Sequence, residues 1–144
     1  MTYIFILTPL ISVIIAQISK FFIKKNRLEW SWKNLVAYSG MPSSHAAVTI
    51  SLATIIGLKL GFDSVAFAIA LLFAFITIRD AVGIRQYIGS QGKIINKLIK
   101  DLNEEDHLDE RFPILRERVG HTPRQLIAGA IIGIVVALII NFLA

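Results

Sequence analysis

Cysteine is absent from the chain, which excludes disulfide staples, thiolate metal sites, a cysteine nucleophile and a cysteine-anchored lipid. Charge is scarce as well: 17% of the 144 residues are Asp, Glu, Lys or Arg, against 55% hydrophobic, where soluble domains carry roughly a quarter charged. With a mean hydropathy of +0.66, this balance excludes a water-soluble globule. It equally excludes an intrinsically disordered chain, which stays unfolded for want of apolar residues. There is no internal repeat and no low-complexity segment. Acidic residues are outnumbered, 10 to 15, which leaves a formal charge of +5. In a membrane chain such an excess reports topology and contact with anionic headgroups, so no nucleic-acid partner is expected.

What the sequence does hold is long apolar runs. A hydrocarbon core of about 30 Å takes roughly 20 helical residues to cross. Tyr3 to about Ile23 is one such run, with Lys20 near its far end. No basic stretch precedes it and no small-residue cleavage site follows, so it reads as a retained helix rather than a signal peptide. Ala46 to Leu60 is shorter and carries Lys59, which can snorkel. Ser64 to Ile78 follows after the turn Gly61-Phe62-Asp63 and completes a helical hairpin, and Leu126 to Leu143 is the fourth run. The polar stretch from about Arg79 to Arg124 is expected as a cytoplasmic insertion in a single domain spanning 1–144. Within it, Ile88, Ile94, Ile95, Leu98 and Ile99 recur at near-helical spacing, which predicts an amphipathic surface helix over Gln86 to Leu102. Asn103 to Glu110 is an acidic patch read as a solvated helix start or loop, and its His107 as a surface histidine. The expected fold is an all-α membrane bundle of about four transmembrane helices plus this amphipathic helix.

Of the 15 basic residues, 14 lie either at or after the end of the first run or between the third and fourth; Lys59 alone lies on the other side. By the positive-inside rule both polar loops face the cytoplasm and both termini face outward. Trp30 and Trp32, near Arg27 and Lys33, are expected in the interface belt.

Two histidines stand at matching places. Pro42-Ser43-Ser44-His45 precedes the second run, and His121-Thr122-Pro123 precedes the fourth. Both are helix-start signals, with Ser43 or Ser44 and Thr122 as caps and Pro123 suited to the first turn. Helix N-termini offer unpaired N–H groups and a positive dipole end, which suit an anion and favour neutral, nucleophilic imidazole. Singly, each histidine is better explained by a structural role, capping or lining a helix start. Together with Lys20 and Arg27 they place two imidazoles and two cations at one membrane face, where clustered polar charge is functional by default. His45, His121 and Asp80 match no metal-ligand spacing, and the cations beside them oppose a metal. Neither metal nor cofactor is expected.

Lys20-x6-Arg27, Pro42-Ser43-Ser44-His45 and His121 followed by Leu126-Ile127-Ala128-Gly129 resemble the three ordered motifs of the type 2 phosphatidic acid phosphatase superfamily. The resemblance is closest to its small divergent branch, related to acid phosphatases and vanadium-dependent haloperoxidases, and includes the stretch Asp80 to Arg85. It implies a phosphohistidine mechanism in which His121 attacks phosphorus and His45 protonates the leaving group. Lys20, Arg27, Ser43 and Ser44 would bind the phosphate. Leu28 and Ser44 are mild departures from the motif proline and glycine. Leu115 stands where the family has arginine and Gln125 where it has the aspartate that orients the nucleophile. Arg85, Arg116 or Arg118 is expected to supply the missing cation, and Asp80 the missing carboxylate, with pairing of Asp80 to Arg79, Arg85 or Arg124 as the structural alternative. The implied substrate is an amphiphilic phosphomonoester or diphosphate, its tail in lipid. The alternative function is an inactive membrane protein that holds an anionic headgroup or a partner's acidic segment in the same pocket. Four helices enclose little interior, so a homodimer is expected through the small-residue spacings Gly57/Gly61 or Gly129/Gly133.

Overall fold

The computed structural model describes residues 2–23, 40–106, 113–117 and 119–144. It is all-helical among these residues: α1 (Ile4–Phe22), α2 (Ser44–Leu60), α3 (Val65–Val82), α4 (Ile84–Asp106) and α5 (Pro123–Leu143). Arg27, Trp30, Trp32, His107 and Arg118 lie outside the described residues. Among the described residues three segments are long and apolar enough to cross a membrane: α1, the stretch that begins with α3, and α5; α2 is a shorter apolar helix. The chain is an integral membrane protein. At 17 residues, α2 spans about 26 Å, slightly less than the hydrocarbon thickness. It is the central element, packed against α1, α3 and α5.

The packing is built from small residues rather than large ones. On α1 the buried positions recur every fourth residue, Ile4, Thr8, Ser12, Ala16 and Lys20, so a single stripe faces the bundle. Most of the buried residues of α2 are Ala, Ser, Thr or Gly. The large side chains point outward instead, Ile6, Leu10 and Ile14 on α1 and Leu72, Phe73 and Ile76 on α3 among them. Lipid is as apolar as leucine, so large side chains gain nothing by turning inward, and close backbone approach supplies the contact energy. Two buried threonines meet their hydrogen-bonding need on their own helix: Thr8 Oγ1 donates to the Ile4 carbonyl (2.8 Å) and Thr49 Oγ1 to the His45 carbonyl (2.9 Å).

Gly129 and Gly133 belong to this packing, which corrects one expectation. A Cβ at Gly129 would land on the Ser43 carbonyl oxygen, and one at Gly133 would lie 2.6 Å from the Ala47 carbonyl. Both glycines are spent on the α2–α5 contact inside one chain and offer no seam to a second copy. Gly57 is likewise covered by its own chain, since a Cβ there would meet the Phe62 ring at 2.5 Å. Gly61 serves the hairpin turn with φ of +96°, a conformation that side chains with a Cβ rarely adopt. Ser64 Oγ then caps α3 by accepting from the Phe67 N–H (3.2 Å).

α3 runs four residues past the end of its apolar stretch, because the backbone ladder continues through Arg79 and Asp80 until Gly83, whose N–H closes on the Arg79 carbonyl (2.8 Å). α4 then begins at Ile84, and as far as Asp106 the acidic patch is its last turn rather than a loop. The helix is amphipathic. Ile84, Tyr87, Ile88, Ile94, Ile95, Leu98 and Leu102 are all exposed and fall on one arc at 3.6 residues per turn. Gly89 and Gly92 are buried on another side.

Candidate active site

Successive antiparallel helices bring alternate ends together. α1 ends near Lys20, α2 starts after Ser43, α3 ends beyond Asp80, and α5 starts after His121. All four ends meet at one end of the bundle. The two histidine-bearing helix starts are stitched to each other directly: the Ser43 N–H donates to the Gln125 carbonyl (2.9 Å). Ser43 is the N-cap of α2, its Oγ accepting from the Ala46 N–H at 3.4 Å, and it is fully buried. Ser44 is buried at the first position of the same helix. The His45 and His121 rings lie with centroids 5.9 Å apart, tilted by 57°.

His121 is held from three sides. Its N–H donates to the Ala81 carbonyl at the end of α3 (3.0 Å), and its carbonyl accepts from Gln86 Nε2 on α4 (2.7 Å). Its ring Nδ1 faces Gln125 Oε1 at 3.3 Å. That same oxygen accepts from the Thr122 N–H (2.9 Å) at the start of α5. Only a carbonyl oxygen can accept from an N–H, so the amide orientation of Gln125 is fixed by the cap. Nδ1 must then carry the imidazole hydrogen and donate it. The lone pair is left on Nε2, which is buried and has no hydrogen-bond partner among the described residues. Burial pushes the His121 pKa down to about 4; the nearby charges of Lys20, His45 and Arg85 act in the same direction, and the hydrogen bond to Gln125 opposes them. The ring is therefore neutral at physiological pH, with the unprotonated nitrogen at Nε2.

The sequence candidates divide on geometry. Among the described residues, Lys20, 1% exposed, and Arg85 are the Lys and Arg cations whose charges reach His121, and with Asp80 they also lie within electrostatic reach of His45. Asp80 accepts from Arg85 Nε at 2.6 Å, which is the pairing named above as the structural alternative. The acceptor on His121 Nδ1 is Gln125, not Asp80. Arg116 is exposed on the segment that leads to His121 and is not among the charges that act on the ring. Arg27 and Arg118 lie outside the described residues.

Two contributions escaped the sequence reading. Gln125 reads there as the loss of a carboxylate, whereas its carbonyl oxygen faces His121 Nδ1 at 3.3 Å without carrying a charge. Gln86 was not singled out at all. A signal for its helix existed in Gly89 and Gly92, since glycines inside a helix mark close backbone approach.

Residues 2–136 of the chain match the model of the Divergent PAP2 family. The uncharacterized membrane protein YuiD of Bacillus subtilis (strain 168) is 36% identical over 149 residues, covering 95% of this chain and 93% of that protein. No solved structure matches the chain.

Proposed function

The chain belongs to the Divergent PAP2 family, and from that premise we propose that it is a metal-independent lipid-phosphate phosphatase that works through a phosphohistidine on His121. The observation that carries this reading is the His121 ring itself: Nδ1 committed to Gln125, Nε2 buried with its lone pair available, and a second imidazole 5.9 Å away. Nε2 attacks phosphorus while the bond to the leaving oxygen breaks, and His45 delivers a proton to that oxygen. Water then attacks the phosphohistidine as His45 takes its proton, the N–P bond breaks, and inorganic phosphate leaves. Lys20 and Arg85 offset the charge on the phosphoryl oxygens, where such catalysis finds most of its rate. A dianionic phosphate arriving between the rings raises the proton affinity of His45 and so prepares it as the acid.

The site's place at the ends of membrane helices selects an amphiphilic substrate, a phosphomonoester or diphosphate whose tail stays in lipid. By the distribution of lysine and arginine, the site and the basic loops face the cytoplasm and both termini face outward. The test is phosphate release from a panel of lipid phosphates by the purified protein in detergent with a metal chelator present. Release that disappears in both His45→Ala and His121→Ala and persists in His107→Ala supports the reading. Tight binding of the same lipids without release supports the second reading, an anionic-headgroup binding protein. The observation favouring that second reading is Gln125, whose neutral amide cannot offset the positive charge that develops on a phosphorylated imidazole.

A further inference from the structure

Among the described residues 113–117 and 119–121, the segment that delivers His121 has no regular structure of its own, yet it is held closely along one side of α4. Asn96 grips the backbone of Leu115 twice, Nδ2 donating to its carbonyl (2.8 Å) and Oδ1 accepting from its N–H (2.9 Å), as a neighbouring strand would. The same Nδ2 also donates to Glu117 Oε1 (3.1 Å). One turn nearer the site, a Cβ on Gly92 would lie 3.0 Å from the Arg116 carbonyl oxygen. At Gly89 it would lie 2.7 Å from the Glu117 carbonyl oxygen and 3.2 Å from the Val119 nitrogen. Finally Gln86 Nε2 donates to the His121 carbonyl (2.7 Å). Positions 86, 89, 92 and 96 fall within about a third of the helix circumference, so one face meets the segment step by step up to the imidazole. Each of the two helix-interior glycines is less favourable there than alanine. Their place here is accounted for by the backbone that lies on them.

We propose that α4 is the positioning element of the active site: its Gln86, Gly89, Gly92 and Asn96 face seats Leu115 to Glu117, Val119 and His121 and thereby sets where the His121 ring stands relative to Gln125 and His45. These four are positioning residues and touch no substrate. The role of His121 as the attacking group rests on the phosphatase reading, but the seating of its ring does not.

The experiment compares Gly89→Ala and Asn96→Ala with Ser90→Ala, an exposed control on the same helix, in protein labelled with ¹⁵N-histidine in detergent. His121 is assigned by the signal missing in His121→Ala. The unaltered protein and Ser90→Ala are expected to show one His121 tautomer with hydrogen on Nδ1. Gly89→Ala and Asn96→Ala are expected to show both tautomers. Turnover of a short-chain phosphatidate in mixed micelles is expected to fall about 10- to 100-fold in kcat with KM within about twofold, since displacing a reacting group by ~1 Å costs of that order. Where Gly89→Ala does not fold, as judged by helical circular dichroism and gel filtration, the half-buried Asn96→Ala carries the test. An unchanged His121 spectrum in folded variants overturns the proposal. Should the unaltered protein release no phosphate, the phosphatase reading fails and the ring spectrum alone decides the positioning role.

Discussion

Gln125→Glu puts a charge where the structure has only a dipole. The glutamate carboxylate reaches the same place, so an oxygen still accepts from the Thr122 N–H (2.9 Å) and still faces His121 Nδ1 (3.3 Å). What changes is a full negative charge beside the ring. At ~4 Å and an effective dielectric near 20, such a pair is worth about 4 kcal/mol, or roughly three pKa units. Burying the carboxylate takes back a large part of that. A net upward shift of roughly one to two units is therefore expected for His121, starting from about 4. The same interaction stabilises the cationic phosphoimidazole, so turnover at pH 7.5 should rise about tenfold for 1.4 kcal/mol of net stabilisation. The acid limb of the rate profile should move to higher pH, because the neutral nucleophile is lost below the raised pKa. Gln125→Leu is the opposite perturbation. It leaves a buried Nδ1–H without an acceptor, at about 1–3 kcal/mol, or lets the ring turn its lone pair away from Nε2. Its turnover should fall roughly 10- to 100-fold. Phosphate release and ¹⁵N titration of His121 read both variants. A His121 titration that does not move in Gln125→Glu, or full turnover in Gln125→Leu, refutes the assignment of Gln125 as the ring's partner.

Three further outcomes are expected. Because the folded-state pKa of His121 lies below its ordinary value of 6.5, the unfolded chain binds the extra proton first as pH falls. Its contribution is intact above pH 6.5 and is lost progressively down to about pH 4, by about 3 kcal/mol in all. Thermal unfolding in detergent should show this slope, and His121→Gln should flatten it. Lys20→Met keeps the buried stem of α1 but removes the cation, so vanadate, as a phosphate analogue, should bind at least tenfold more weakly by calorimetry with the helix content unchanged. Gly129→Ala should destabilise the protein by ~1–3 kcal/mol, measured as a lowered Tm in detergent, because its methyl group meets the Ser43 carbonyl, a backbone atom with no rotamer to retreat into.

Which parts of the protein were legible in its sequence follows from the range of the physics involved. Membrane insertion is set by composition summed over some twenty residues, so the four apolar segments and the all-α class could be read directly. Helix starts are equally local: Ser43 and the Thr122-Gln125 pair announce α2 and α5 through side chains three residues from the groups they satisfy. Because each apolar segment reverses the chain, sequence order alone implied that the ends near Lys20, His45, Asp80 and His121 share one end of the bundle. Other details of the site were decided by where whole elements end and meet, for which no local pattern exists. Whether Asp80 or Gln125 faces the His121 ring depends on how far α3 continues beyond its apolar stretch and where Arg85 then stands to claim the carboxylate. Gly129 and Gly133 carry the same spacing whether they meet a second copy or their own α2, and only the packed bundle distinguished the two. The support that Gln86 and Asn96 give to the His121 segment joins residues 35 and 19 positions apart. An irregular segment displays no period, so its seat on α4 became visible only when the helix and the segment were seen side by side.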